Sequence, residues 1–189
     1  MNYYSAMRVE STELDGVKLI VPKIFGDERG WFAEMFNAAR LAEAGLPVHF
    51  VQDNQSFSQR GVLRGLHYQV GKPQGKLVRV LSGEVFDIAV DIREKSATFG
   101  RWAGFILTEK EANMLWIPEG FAHGFLVISD SASVLYKTTD YYYPEGERTI
   151  RWDDATLKIE WPLEKIKPLQ PVVSAKDAAG KSFLETEKF

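Results

Sequence analysis

A chain of 189 residues, 45% hydrophobic and 26% charged, has the composition of one globular domain with a sizeable core, which disfavours disordered and membrane classes. Lys and Arg total 23 against 26 Asp and Glu, a net charge of −3; a general nucleic-acid binder is thereby disfavoured, while a local basic pocket for a phosphorylated small molecule stays open. There are no cysteines, which removes disulfides, thiolate metal ligands and a cysteine nucleophile. Residues 1–8 lack the apolar stretch of a signal peptide and no apolar run is long enough to span a bilayer, so the expectation is a soluble, cytoplasmic protein forming a single domain over residues 1–189.

In chain order, residues 17–21 read as a strand stopped by Pro22, followed by a turn at 26–30 and the aromatic run 31–36. Asn37 is placed to cap a helix over 38–44 that Gly45 and Pro47 end. The run 61–69 carries Arg64 and His67, which strands and tight turns can aim at one cavity. Residues 71–76 faintly resemble a phosphate loop. They are one residue too short, contain a proline and lack Ser or Thr after the lysine, so a hairpin turn is expected.

The clearest strand covers 85–92. Phe86, Ile88, Val90 and Ile92 form one apolar face, and the face with Asp87 and Asp91 is expected to be wet or to line a polar cavity. Further strands are expected at 77–81, 102–107, 114–117, 124–127 and 133–138, a proline-spaced extended wrap at 161–171, and a short helical turn from Ser174 to Gly180. Strands at short spacing with turn signals between them predict an antiparallel sandwich or barrel. No Gly-x-Gly-x-x-Gly run follows a strand, which argues against a dinucleotide fold. The sequon Asn54-Gln55-Ser56 lacks a secreted context.

His67 and His123, with Arg64 and Lys76, place a proton acceptor near cations, a combination suited to carbanion chemistry beside a carbonyl. Pro118-x-Gly120-x-x-His123 resembles the second motif of the cupins, which are mainly-β double-sheet jelly rolls around a central cavity. A metal-binding cupin would show His-x-His in its first motif, where this chain reads His67-Tyr68-Gln69. Two imidazoles and a carboxylate could still hold iron or zinc, so a metal-dependent cupin remains an alternative. Taken alone, His123 is most simply a core histidine.

The resemblance then becomes more specific. The segments 27–30, 52–56, 61–69, 83–87, 115–125, 136–137, 152–154 and 174–177 together resemble the dTDP-4-dehydrorhamnose 3,5-epimerase family of metal-free, cofactor-independent cupins, in the right order over nearly the whole chain. The resemblance implies a dTDP-linked 4-keto-6-deoxyhexose whose C3 and C5 are inverted in dTDP-L-rhamnose-type deoxysugar biosynthesis. Both carbons lie alpha to the C4 ketone, so their protons are removable once the enolate oxygen is stabilised. His67 resembles the general base and Asp177 its orienting carboxylate. Lys76 resembles the cation beside the C4 oxygen, a role worth about 3 kcal/mol by analogy with one oxyanion donor. Tyr136 resembles the acid that returns a proton to the opposite face of the sugar.

The resemblance also assigns Arg29, Arg64 and Lys176 as cationic contacts to the diphosphate, Glu34, Gln52, Asn54 and Glu147 as polar contacts, and His123 as a cavity residue near substrate. Asp87 is expected to neutralise His123, because a lumen-facing carboxylate needs a partner. A homodimer is implied in which an N-terminal portion packs on its neighbour, which would let Arg29 and Glu34 serve the other subunit's cavity. Two departures stand out. The segment between Gln69 and Lys76 is one residue shorter than is common, so Lys76 matches the family lysine only across a gap. The cluster Tyr141-Tyr142-Tyr143 lies near the sugar side, and relatives that invert one centre share most of these motifs, which leaves a single-centre epimerase and a non-catalytic sugar-binding cupin as further alternatives.

Overall fold

The computed structural model describes residues 7–189. Two six-stranded sheets face each other. The first runs, in spatial order, β1 (Met7–Ser11), β2 (Lys18–Pro22), β10 (Met114–Ile117), β7 (Lys76–Ser82), β12 (Ser131–Thr138) and β5 (Gln52–Gln59). The second runs β13 (Glu147–Thr149), β6 (Val62–Gln69), β11 (Phe121–Val127), β8 (Glu84–Asp91) and β9 (Trp102–Thr108), with β14 (Val172–Val173) pairing parallel to β6. The hairpin of β3 (Ile24–Asp27) and β4 (Gly30–Ala33) forms a small sheet of its own. This is the expected mainly-β double-sheet jelly roll.

Alternation along the strands fills the space between the sheets. Val78 and Val80 of β7, Leu115 and Ile117 of β10 and Val134 of β12 meet Val85 and Ala89 of β8, Leu107 of β9 and Phe125 and Val127 of β11. Asn37 accepts a hydrogen bond from the Arg40 amide and starts the expected helix, α1 (Ala38–Glu43). Its Leu41 packs on Ile20, Met114 and Trp116 over the outer face of the first sheet.

Three expectations need correction. Of the two alternatives for the face of β8 with Asp87 and Asp91, the wet one fails, since both carboxylates are fully buried, while Asp87 stands behind the cavity-lining His123. Asp91 is satisfied by Arg93, Ser96 and Thr98, and Asp87 by His123. The opposite face is covered by Leu157, Trp161, Ile166 and Phe183, so β8 is buried on both sides. Residues 70–75 do not close a hairpin, because they link β6 in one sheet to β7 in the other. Finally, the wrap at 161–171 does cover the second sheet but contains a 3-10 turn at Leu163–Ile166, not extended chain alone.

One irregularity governs the site. In the pairing of β6 with β11, His67 lies opposite His123 while Arg64 lies opposite Phe125. Three steps on β6 therefore match two on β11, and β6 carries one extra residue at Gly65–Leu66. Strict alternation would put Arg64 and His67 on opposite faces, but the bulge shifts the phase and both line the cavity. Only glycine fits there: Gly65 has φ +117°, and a Cβ on it would lie 2.6 Å from Gly124 Cα.

Candidate active site

A cavity of about 250 Å3 lies between the sheets, lined by Arg64, His67, Lys76, His123, Tyr136 and Glu147, among others. His67, His123 and Arg64 come from the second sheet. Lys76 and Tyr136 come from the first, where Tyr136 lies opposite Asn54 on β5 and Val78 on β7. The cavity is thus walled by different residue types on its two sides.

Asp177 reaches the site from the far end of the chain. After β14 pairs with the start of β6, Ser174 accepts a hydrogen bond from the Asp177 amide and caps the short helix α2 (Ala175–Ala178). The Asp177 carboxylate is buried and accepts from His67 Nε2 at 2.6 Å and from the Gly65 amide at 3.3 Å. Burial pushes its pKa up. The hydrogen bond and charge of His67, with the Gly65 and Ser174 bonds, outweigh that and hold it below the ordinary carboxylate value. An ionised carboxylate can only accept, so Nε2 carries a hydrogen, and in the neutral form of the imidazole the lone pair of a base is the one on Nδ1.

The second imidazole has its own carboxylate. His123 Nε2 donates to Asp87 at 3.0 and 2.9 Å, with both groups buried, as expected. Each histidine is therefore held in a separate His–Asp pair, and among the described residues no three His, Asp or Glu side chains could hold a metal ion.

Lys76 is buried, and its Nζ donates to the His67 carbonyl at 3.1 Å. Burial lowers its pKa and the negative charges of Asp87 and Glu147 offset part of that, which leaves it at about 8. Burial also raises the Tyr136 pKa, with Arg64 opposing and Glu147 adding to the effect, so the phenol keeps its proton. Arg64 Nε donates to Ser58 Oγ at 3.0 Å, which leaves the terminal nitrogens of its guanidinium for a ligand.

At the mouth, Glu147 accepts from Tyr142 at 2.7 Å and pairs with Lys176 at 2.5 Å. Burial raises the Glu147 pKa, but these two partners more than reverse it. Gln52 and Asn54 are hydrogen-bonded to each other at 2.9 Å on β5. Arg29 and Glu34 are not brought to this cavity within the chain. Arg29 sits at the tip of the β3–β4 hairpin, 85% exposed and paired with Asp27, and Glu34 pairs with Arg40 near α1. Neither strand of that hairpin belongs to the sheets that wall the cavity, which is why these residues stand apart. Gln69, Gln74, Ser56 and Tyr142 also line the cavity, though no motif in the sequence gives them a role. Tyr142 was signalled only by the tyrosine cluster, and Gln69 by its place two residues after His67.

Residues 11–185 match the family model described as dTDP-4-dehydrorhamnose 3,5-epimerase. A protein of that name from Pseudomonas aeruginosa is 52% identical over 184 residues, covering 97% of this chain and 99% of the relative. The chain belongs to the dTDP-4-dehydrorhamnose 3,5-epimerase family. As a member of this epimerase family, it is an isomerase. A Legionella pneumophila dTDP-6-deoxy-D-glucose-3,5-epimerase in complex with dTDP-4-keto-L-rhamnose superposes with a TM-score of 0.90 at 53% identity, covering 96% of this chain and 95% of that one. A 3'-monoepimerase from Streptomyces bikiniensis in complex with dTDP-quinovose superposes at 0.84 with 28% identity, covering 93% and 87%.

The electrostatics of this epimerase predict its alkaline behaviour. Lys76 is cationic below its pKa of about 8 and neutral above it. If the cation stabilises developing negative charge, kcat/KM falls as pH rises through about 8. The Asp87→Asn protein should stay folded but lose turnover, and because Asp87 raises the Lys76 pKa its alkaline limb should lie at lower pH. A pH–rate profile checks this; full activity with an unmoved limb contradicts it.

Proposed function

We propose that this chain inverts C3 and C5 of dTDP-4-dehydro-6-deoxy-D-glucose, a dTDP-linked 4-keto-6-deoxyhexose. In this reading, Nδ1 of His67 removes the proton alpha to the C4 ketone. Electrons move into the carbonyl to give an enolate whose oxygen faces the Lys76 ammonium. Asp177 stabilises the imidazolium through Nε2–H. Tyr136 returns a proton to the other face of the carbon, and solvent restores both groups before the second centre reacts. The observation that carries this reading is the position of His67, paired with Asp177, on one sheet and Tyr136 on the other, across one cavity with a buried lysine. Inversion needs exactly such an acceptor and donor on opposite faces of the sugar.

Arg64 and Lys176 supply positive charge for the diphosphate, and Gln52, Asn54, Glu147 and His123 supply polar contacts. Arg29 and Glu34 act in a homodimer, where they serve the cavity of the neighbouring subunit. The exposure of Arg29, and that of Trp31 at 57% and Phe32 at 70% on the same hairpin, supports a hairpin that packs against a second copy. A cytoplasmic place of work fits a chain without cysteine, and among the described residues no helix is long and apolar enough to cross a membrane. A second reading, inversion of one centre only, is supported by the likeness to the Streptomyces 3'-monoepimerase.

Turnover in deuterated water separates these readings. Double inversion places solvent deuterium at both C3 and C5, and exchange at one carbon alone identifies a single-centre enzyme. No exchange at either carbon rejects epimerisation. Elemental analysis of the same protein tests the metal-dependent alternative, which requires a stoichiometric metal needed for turnover.

A further inference from the structure

The segment from Asp140 to Tyr143 leaves the end of β12 and runs outside the strands beside the cavity mouth. Three glutamine side chains hold its backbone. Gln74 Nε2 donates to the Asp140 carbonyl at 2.8 Å, and Gln69 Nε2 donates to the Tyr141 carbonyl at 3.2 Å. The Tyr142 amide donates to Gln52 Oε1 at 3.0 Å, and the Tyr143 amide donates to Gln69 Oε1 at 2.9 Å.

A primary amide carries a donor and an acceptor on a long stem, so it can serve peptide groups much as a neighbouring strand would. Gln69 uses both ends. It is 4% exposed, bonds the segment twice, and donates once more to the Lys72 carbonyl at 2.8 Å. It sits two residues beyond His67 on β6 and pairs in register with Glu147 on β13. Glu147 in turn accepts the Tyr142 hydroxyl at 2.7 Å. A closed circuit results: Gln69 fixes the backbone around Tyr142, and the strand partner of Gln69 fixes the tip of the Tyr142 ring. That ring is 51% exposed and lines the cavity.

We propose that Gln69, with Gln74 and Gln52, forms a clamp of positioning residues that holds Tyr142 as a preformed wall of the substrate-binding mouth. The clamp rests on the reading that this cavity binds a dTDP-linked sugar. A segment ordered before substrate arrives spares the complex the cost of ordering it, so the clamp acts on binding. His67 and Lys76 keep their own partners without it, and Tyr136 stands on β12 inside the first sheet, so the chemical step is left alone. Gln52, expected from the sequence to touch substrate, uses one lone pair for the Tyr142 amide and one amide hydrogen for Asn54, and keeps a second of each for a ligand.

Methionine keeps the length and volume of glutamine without its polar atoms. The test measures dTDP affinity by calorimetry, and KM and kcat with the keto-sugar nucleotide. It compares wild type, Gln69→Met, Gln74→Met, Tyr142→Ala and the double variant Gln69→Met/Tyr142→Ala. Each glutamine variant should raise KM and the dTDP Kd about tenfold, or roughly 1.4 kcal/mol, with kcat within about twofold of wild type. The double variant should be no worse than Tyr142→Ala alone, because the glutamine acts through the tyrosine. Effects that multiply in the double variant, unchanged KM and Kd, or a fall in kcat at constant KM would each overturn the clamp. Gln74→Met lies outside the strand ladder and decides the matter if Gln69→Met fails to fold. Wild-type protein that binds dTDP but exchanges no substrate hydrogen rejects the catalytic reading, and the dTDP affinities then decide the clamp.

Discussion

The 2.6 Å hydrogen bond between His67 and Asp177 joins residues 110 positions apart, and the proposed chemistry depends on it. Two backbone devices make it possible. On β6, the extra residue at Gly65–Leu66 shifts the phase of the strand so that His67 points between the sheets, and the Gly65 amide supplies a second donor to the same carboxylate. At the other end, β14 lies against β6 and a serine-capped turn of helix sets Asp177 beside it. An alanine at Gly65 would drive a methyl group into the backbone of β11, so the space beside the second histidine depends on the same glycine.

Around this bond, the cavity brings together charges that a purely apolar core would not tolerate. Lys76 is kept titratable near neutrality by opposing influences, burial against the charges of Asp87 and Glu147. Asp87 is committed to His123 and Glu147 to Tyr142 and Lys176, so each buried or half-buried carboxylate has a named partner. A lysine of this kind can meet new negative charge on a substrate oxygen without reorganisation of water, the condition under which electrostatic stabilisation is strongest. The balance also explains why the site needs no large excess of basic residues in a chain of net charge −3.

Much of this was legible in the sequence. The alternation of β8, the strand over 133–138, the Asn37 cap and the Pro118–His123 turn are local signals, and the structure follows them. The His67, Lys76, His123 and Tyr136 assignments rested on motif resemblance, and all four side chains line one cavity. What escaped depends on tertiary context. β5 is polar apart from Phe57, because its half-buried face, Gln52, Asn54 and Ser56, leads to a polar cavity that Ser56 lines rather than to an oily core. The acidic face of β8, expected to be wet or to line a polar cavity, is buried, since no local pattern reveals that His123, Arg93, Ser96 and Thr98 will supply its partners. The bulge is signalled only by a glycine inside a strand, and the cross-sheet path of residues 70–75 has no local signal at all. Arg29 and Glu34 mark a further limit, because the cavity of a single chain does not include them.

The central claim is that base and acid face each other from opposite sheets, and the Tyr136→Phe protein tests it most directly. Incubated with the keto-sugar nucleotide in deuterated water, this variant should still lose substrate hydrogen to His67. The recovered sugar should carry deuterium mainly with its original configuration, because the proton donor of the other face is gone. Inverted product formed at the wild-type rate would contradict the assignment and place the second proton donor elsewhere.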